Sequence, residues 1–229
     1  MKPWIKICGT TNLSDAFAAA EAGADAIGFV FAPSPRRITA AQAAVITSQL
    51  QARLEKIGVF VDASFEEIEA TVRAANLTGV QLHFGIASDL PSRLRERFGP
   101  SFRILRVVHF SPDAADHAAA IDNDPNIDAI LVDSRAPTAV GGTGIPFDWN
   151  AARSSLFGTG RKPRIAAGGL SPANVAEAIA TLRPWGVDVV SGVESAPGKK
   201  DHDKVRAFVA NALAACNQGL DGMPGPIFR

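Results

Sequence analysis

Short apolar runs alternate with amphipathic stretches along almost the whole chain. Eight of the runs read as strands: Trp4–Ile7, Ala26–Phe31, Ile57–Val61, Gly79–Leu82, Ile104–Val108, Ala129–Val132, Arg164–Ala167 and Val187–Val190. They are continuously apolar, the pattern of parallel strands covered on both faces. Between them apolar residues recur at helical spacing, and several of these stretches open on capping signals. Asn12 stands three residues before Asp15, while Thr39 precedes Gln42 and Ser64 precedes Glu67 at capping-box spacing. Ser111-Pro112 and Ser171-Pro172 set an N-cap residue ahead of a proline at the first helical position. Strict β-then-α order through eight units, with no linker-like break, predicts an α/β fold, a single (β/α)8 TIM barrel over residues 1–215. A doubly wound open sheet is the alternative and would usually need fewer strands. Residues 216–229 follow as a Gly- and Pro-rich stretch, expected to be a flexible tail.

Three strands share an entry motif: Gly23-Ala24-Asp25-Ala26-Ile27, Asn126-Ile127-Asp128-Ala129-Ile130 and Gly186-Val187-Asp188-Val189-Val190. An Asp placed there can cap the strand's entry side, the face of a barrel that carries stability.

Charge and cysteine usage narrow the function classes. Lys plus Arg and Asp plus Glu number 23 each in 229 residues, so there is no basic footprint for nucleic acid and no polybasic membrane patch. No run reaches transmembrane length, and the N-terminus lacks a signal-peptide pattern. Cys8 and Cys216 make neither a disulfide framework nor a metal cluster; Cys216 reads as packing. His109, His117 and His202 show no ligand spacing, which argues against a catalytic metal. The expectation is a cytoplasmic enzyme.

In a barrel, the C-terminal ends of the strands face the site. Cys8, the 31–37 loop, Asp62, His83, Arg106, Asp133, Gly168-Gly169 and Ser191-Gly192 all fall there. Glycine-bearing turns on the last two strands suit a phosphate held by backbone N–H groups, since no Cβ intervenes; each alone could also be a tight turn. Asp133 on strand six is expected to face Cys8 on strand one across the mouth. A thiolate and a carboxyl group on opposite sides of a small substrate suit isomerisation by general acid–base catalysis. Plainer roles exist for both, Cys8 as a buried packing residue and Asp133 as a turn cap. Arg37 can grip a carboxylate bidentately or simply be solvated. His83 is expected to pack or to position substrate. Gly141, Gly142 and Gly144 would let the loop after strand six close as a lid or merely follow an awkward path.

Together, Lys6-Ile7-Cys8-Gly9, Gly23–Phe29, Gly58-Val59-Phe60-Val61, Val80-Gln81-Leu82-His83, Val132-Asp133-Ser134, Gly141–Gly144, Phe147-Asp148-Trp149, Gly168-Gly169-Leu170, Asp188–Glu194 and Pro197–Asp201 resemble the phosphoribosylanthranilate isomerases of tryptophan biosynthesis. The resemblance runs from Ile5 to about Ala214. It implies an Amadori rearrangement of a phosphorylated small molecule without cofactor or metal, by a monomer or homodimer. On matching positions, Asp133 would protonate the ribose ring oxygen and Cys8, as thiolate, would remove the C2 proton. Arg37 would lie near the anthranilate carboxylate and Asp188 near the sugar hydroxyls. The backbone around Gly168, Gly169, Ser191 and Gly192 would seat the phosphate. Lys6 shares a face with Cys8 but stands roughly 6–7 Å away along the strand, so it is expected not to assist the thiol. Two rivals remain: a sugar-phosphate isomerase of histidine biosynthesis, which would commonly pair two Asp residues, and a non-catalytic phosphate-ligand-binding barrel, which need not keep Cys8, Arg37 and Asp133 together.

Overall fold

The computed structural model describes residues 2–134 and 148–218. Eight parallel strands close in sequence order: β1 (Trp4–Cys8), β2 (Ala26–Val30), β3 (Glu55–Phe60), β4 (Gly79–Leu82), β5 (Arg103–His109), β6 (Ala129–Asp133), β7 (Arg164–Ala167) and β8 (Gly186–Val189). β8 pairs back onto β1, which makes the expected barrel. Each strand lies within two residues of the run that predicted it, because a strand buried on both faces leaves an unbroken apolar signature.

Outside the barrel lie α1 (Leu13–Ala22), α2 (Ala40–Thr47), α3 (Phe65–Ala74), α4 (Leu90–Phe98), α5 (Ala114–Asp122), α6 (Trp149–Ala152), α7 (Val175–Leu182) and α8 (His202–Gln218). α6 continues into a π-helical turn at Arg153–Phe157. Thr39 with Gln42, and Ser64 with Glu67, form both halves of their capping boxes, and Asn12 accepts from the Asp15 N–H. The two Ser-Pro starts are corrected. Ser111 and Ser171 begin turns, and the helices start at Ala114 and Val175. The Ser171 carbonyl accepts from the Asn174 and Val175 amides, while its own N–H is taken by the Asn174 carboxamide at 2.7 Å. That local hydrogen bonding competes with the cap the sequence suggested.

Alternation along the strands separates two cores. Ile5, Ile7, Val187 and Val189 pack outward in the layer under the helices. Trp4, Ala26, Ile57, Leu105, Val107, Ala129, Leu131, Ile165 and Ala167 fill the barrel itself. Burying each large apolar side chain is worth about 1.5–3 kcal/mol, so this filling holds the strand ends in place. The interior also buries three polar residues, Lys6, Gln81 and Asp188.

The repeated entry motif divides in two. Asp25 accepts from the Ile5 N–H at 2.9 Å and Asp128 from the Ile104 N–H at 2.6 Å, both as entry-side caps. Lys6 stands level with Ala26 on one side and with Asp188 on the other. Asp188 is thus one residue further along its strand than Asp25, and a one-residue step reverses the face a side chain occupies.

The glycines Gly141, Gly142 and Gly144 lie outside the described residues, as do the side chain of Cys216 and everything beyond Gln218. Among the described residues no helix is long and apolar enough to cross a membrane.

Candidate active site

A cavity of about 560 Å³ opens at the C-terminal end of the barrel. Cys8, His83, Asp133, Gly168, Gly169, Asp188 and Ser191 all line it. Gly192 follows in the short 3-10 turn Ser191–Val193 after β8. Asp62 and Arg106 are not part of the wall. Arg106 instead donates Nη1 to the carbonyls of Leu82 and His83.

Two glycines create room for the side chains of Cys8 and Asp133. A Cβ on Gly28 would come within 2.5 Å of Cys8 Sγ and 3.0 Å of Lys6 Cε, so β2 needs glycine there. Gly168 has φ +80°, and a Cβ on it would meet Asp133 Oδ1 at 2.5 Å and Ser134 Oγ closer still.

Cys8 is buried, with 3% of its surface exposed. Burial pushes its thiol above the ordinary value, the neighbouring Lys6 ammonium pulls it down, and Asp188 pushes it up again, with a net rise. Lys6 therefore does act on the thiol, contrary to the sequence expectation. Its backbone is two residues from Cys8, but its four-carbon stem folds along the interior and brings the charge back. Lys6 Nζ, fully buried, donates to Asp188 Oδ1 and to Gln81 Oε1, each at 2.8 Å. Burial alone would lower its pKa; Asp188 and Cys8 outweigh that and raise it.

Arg37 is exposed and lies outside the cavity wall, whereas Arg36 is buried and forms part of it. Arg36 holds Glu194 bidentately, Nε to Oε1 at 2.8 Å and Nη2 to Oε2 at 2.7 Å. That pairing raises the Arg36 pKa. Burial pushes the Glu194 carboxyl up, but Arg36 and Lys200 together hold it below the ordinary carboxylate range. Lys200 Nζ also donates to the carbonyls of Cys8, at 2.6 Å, and Val190, at 3.0 Å, tying the ends of β1 and β8 together.

His109, at the end of β5, sits beside Asp133 in the sheet register and lines the same wall. Both its ring nitrogens are buried without a hydrogen-bond partner among the described residues, and its ring lies 5.9 Å from that of His83 and 6.3 Å from that of Phe84. Spacing between histidines could not find it; its place at the end of a strand could. Among the described residues no group of three or more His, Cys, Asp or Glu is placed to hold a metal ion.

The arrangement of a thiol on β1, a carboxyl group on β6 and glycine turns after β7 can be set beside known proteins. The family model described as "N-(5'phosphoribosyl)anthranilate (PRA) isomerase" matches residues 5–211. The chain belongs to that family. A phosphoribosylanthranilate isomerase of Trichlorobacter lovleyi is 43% identical over 213 residues, which is 92% of this chain and 98% of the relative. The crystal structure of the Thermotoga maritima isomerase superposes with a TM-score of 0.80 at 37% identity, covering 93% of this chain and 98% of the other. A solved isomerase in complex with reduced 1-(o-carboxyphenylamino)-1-deoxyribulose 5-phosphate gives a TM-score of 0.77 at 35% identity, with the same coverage of both chains.

Proposed function

We propose that this member of the phosphoribosylanthranilate isomerase family catalyses the Amadori rearrangement of N-(5-phosphoribosyl)anthranilate to 1-(2-carboxyphenylamino)-1-deoxyribulose 5-phosphate, with Asp133 as acid and Cys8 as base. The observation that supports it is that both residues line one cavity, from strands three positions apart around the closed barrel. Asp133 gives its proton to the ribose ring oxygen as the C1–O bond breaks, and the aniline nitrogen lone pair forms the C1=N iminium. Cys8, as thiolate, takes the C2 proton; the released pair forms C1=C2 and neutralises the nitrogen. The enolamine then becomes the ketone by moving its hydroxyl proton to C1.

Burial makes the Cys8 thiolate a stronger base than an exposed one, at the cost of a smaller thiolate population. Lys6 offsets part of that cost, and the iminium adds a second positive charge when the base is needed. Arg36, lining the cavity and oriented by Glu194, is the residue we assign to the anthranilate carboxylate, in place of Arg37. Its Nη1 amino group has no protein acceptor among the described residues and remains for a ligand. The phosphate belongs on the backbone around Gly169, Ser191 and Gly192, and Asp188 and His83 serve the sugar. The reaction runs in the cytoplasm, in a monomer or homodimer.

The test is loss of the substrate's fluorescence, with the labile substrate made in place from anthranilate and phosphoribosyl pyrophosphate by the transferase. Rapid loss on adding the protein is expected; folded protein without turnover would overturn the proposal. The histidine-pathway isomerase and the non-catalytic barrel are not favoured, since the family match covers nearly the whole barrel.

A further inference from the structure

Gln81 stands between two groups whose chemistry fixes its orientation. Its side chain is buried, its Oε1 lies 2.8 Å from Lys6 Nζ, and its Nε2 lies 3.1 Å from His83 Nε2. An ammonium has three donors and no acceptor, so it requires the amide oxygen. The other end of the amide is then an NH2 group, a donor only, and it faces the imidazole. His83 Nε2 has to accept and therefore carries no proton. In a neutral ring the proton is then on Nδ1.

We propose that Lys6 and Gln81 are positioning residues that hold His83 as its Nδ1–H tautomer, so that the ring meets the substrate as a hydrogen-bond donor rather than a base. The chain of contacts runs Asp188–Lys6–Gln81–His83, from β8 through β1 to β4, across the inside of the barrel. Asp188, Gln81 and His83 all line the cavity, and Lys6 is the charge that acts on Cys8. One buried ammonium thus biases two groups at once. It favours the thiolate at Cys8, and through the amide it occupies the His83 Nε2 lone pair while Nδ1 keeps its proton, so neither ring nitrogen competes for the C2 proton. What the Nδ1–H serves, an acceptor oxygen of the sugar or of the carboxylate, rests on the isomerase reading. The tautomer itself belongs to the protein without substrate.

The experiment uses the full chain labelled with 15N-histidine, at about pH 8, above the ordinary imidazole pKa of about 6.5. Long-range proton–nitrogen correlation spectra distinguish the two tautomers, and the signals lost in His83→Asn identify His83 among the four histidines. Wild type should show a protonated Nδ1 and an unprotonated Nε2. A proton on Nε2, or a mixture of tautomers, would overturn the proposal. Gln81→Glu presents only acceptors, so the His83 proton should move to Nε2 and kcat/KM should fall about tenfold, the loss of one hydrogen bond to substrate. A folded Gln81→Glu in which Nε2 stays unprotonated would remove Gln81 from its role, and if that variant does not fold, the wild-type spectrum still decides. A wild type that shows this tautomer but no turnover would defeat the isomerase assignment alone.

Discussion

At the scale of single residues, the site works through charges that sit out of sight of solvent. Cys8 has a thiol raised by burial and lowered by Lys6, so the thiolate fraction depends on one neighbouring charge. Activity that needs the thiolate is present above the thiol pKa and lost as pH falls through it. Lys6→Met removes the lowering charge, so the rising limb of kcat/KM against pH should move to higher pH, with at least about a tenfold loss at pH 7. The variant also leaves Asp188 buried without its partner, at about 3–5 kcal/mol, so circular dichroism must show a folded protein. A limb that stays in place would mean that Lys6 does not act on Cys8. Arg36 and Arg37 give a second contrast. Arg36→Ala should raise KM by about 10- to 100-fold, the worth of a charge-assisted hydrogen bond, whereas Arg37→Ala should stay within about twofold of wild type. Steady-state kinetics on the two variants check this, and the reverse order would restore Arg37 to the role first expected of it. The sequence could not choose between these adjacent arginines, because a loop has no period that tells which side chain turns inward. The turn at Ser34, whose Oγ accepts from the Arg36 N–H at 3.1 Å, makes the choice.

At the scale of elements, buried pairs on the far side of the barrel join helices to strands. Asp122 at the end of α5 accepts from Arg164 Nη1 at 2.9 Å and Nη2 at 2.6 Å, and from the Lys162 N–H at 3.0 Å. Burial raises this carboxyl, but Arg164 and the backbone N–H groups outweigh it and hold the pKa below the ordinary range. A lowered carboxyl pKa stabilises the fold above the unfolded-state value, and the contribution disappears as pH falls through the folded one. Asp122→Asn should therefore cost about 3 kcal/mol at neutral pH, and the gap from wild type should close in acid. Urea unfolding at pH 7 and below pH 4 checks it; a gap independent of pH would contradict the assignment. The capping boxes of α2 and α3 were legible because each needs only two residues at one spacing. The starts of α5 and α7 were not, since Asp113 and Asn174 follow the prolines and take over the ends of the helices.

At the scale of the whole molecule, the barrel was readable because both its cores demand apolar strands, and strand ends then locate the mouth. Cys8, His83, Asp133, Gly168, Gly169 and Ser191 reach one cavity from five strand ends as that rule expects, and Asp188, expected there only from the family resemblance, joins them. Lys6, Gln81 and His109 were harder to see. The first two are polar residues inside apolar runs, and only closure of β8 onto β1 brings Asp188 to the Lys6 ammonium. A polar residue in a strand otherwise buried on both faces was the available signal. The central claim is that Asp133 and Cys8 divide the proton transfers of one isomerisation. The most direct measurement is single-assay turnover of N-(5-phosphoribosyl)anthranilate by wild type, Cys8→Ala and Asp133→Ala, each first shown to be folded. Fast turnover by wild type and a loss of at least about 100-fold in kcat for each variant is the result expected of an acid and a base acting in separate steps. Near-normal kcat in either folded variant would contradict the account.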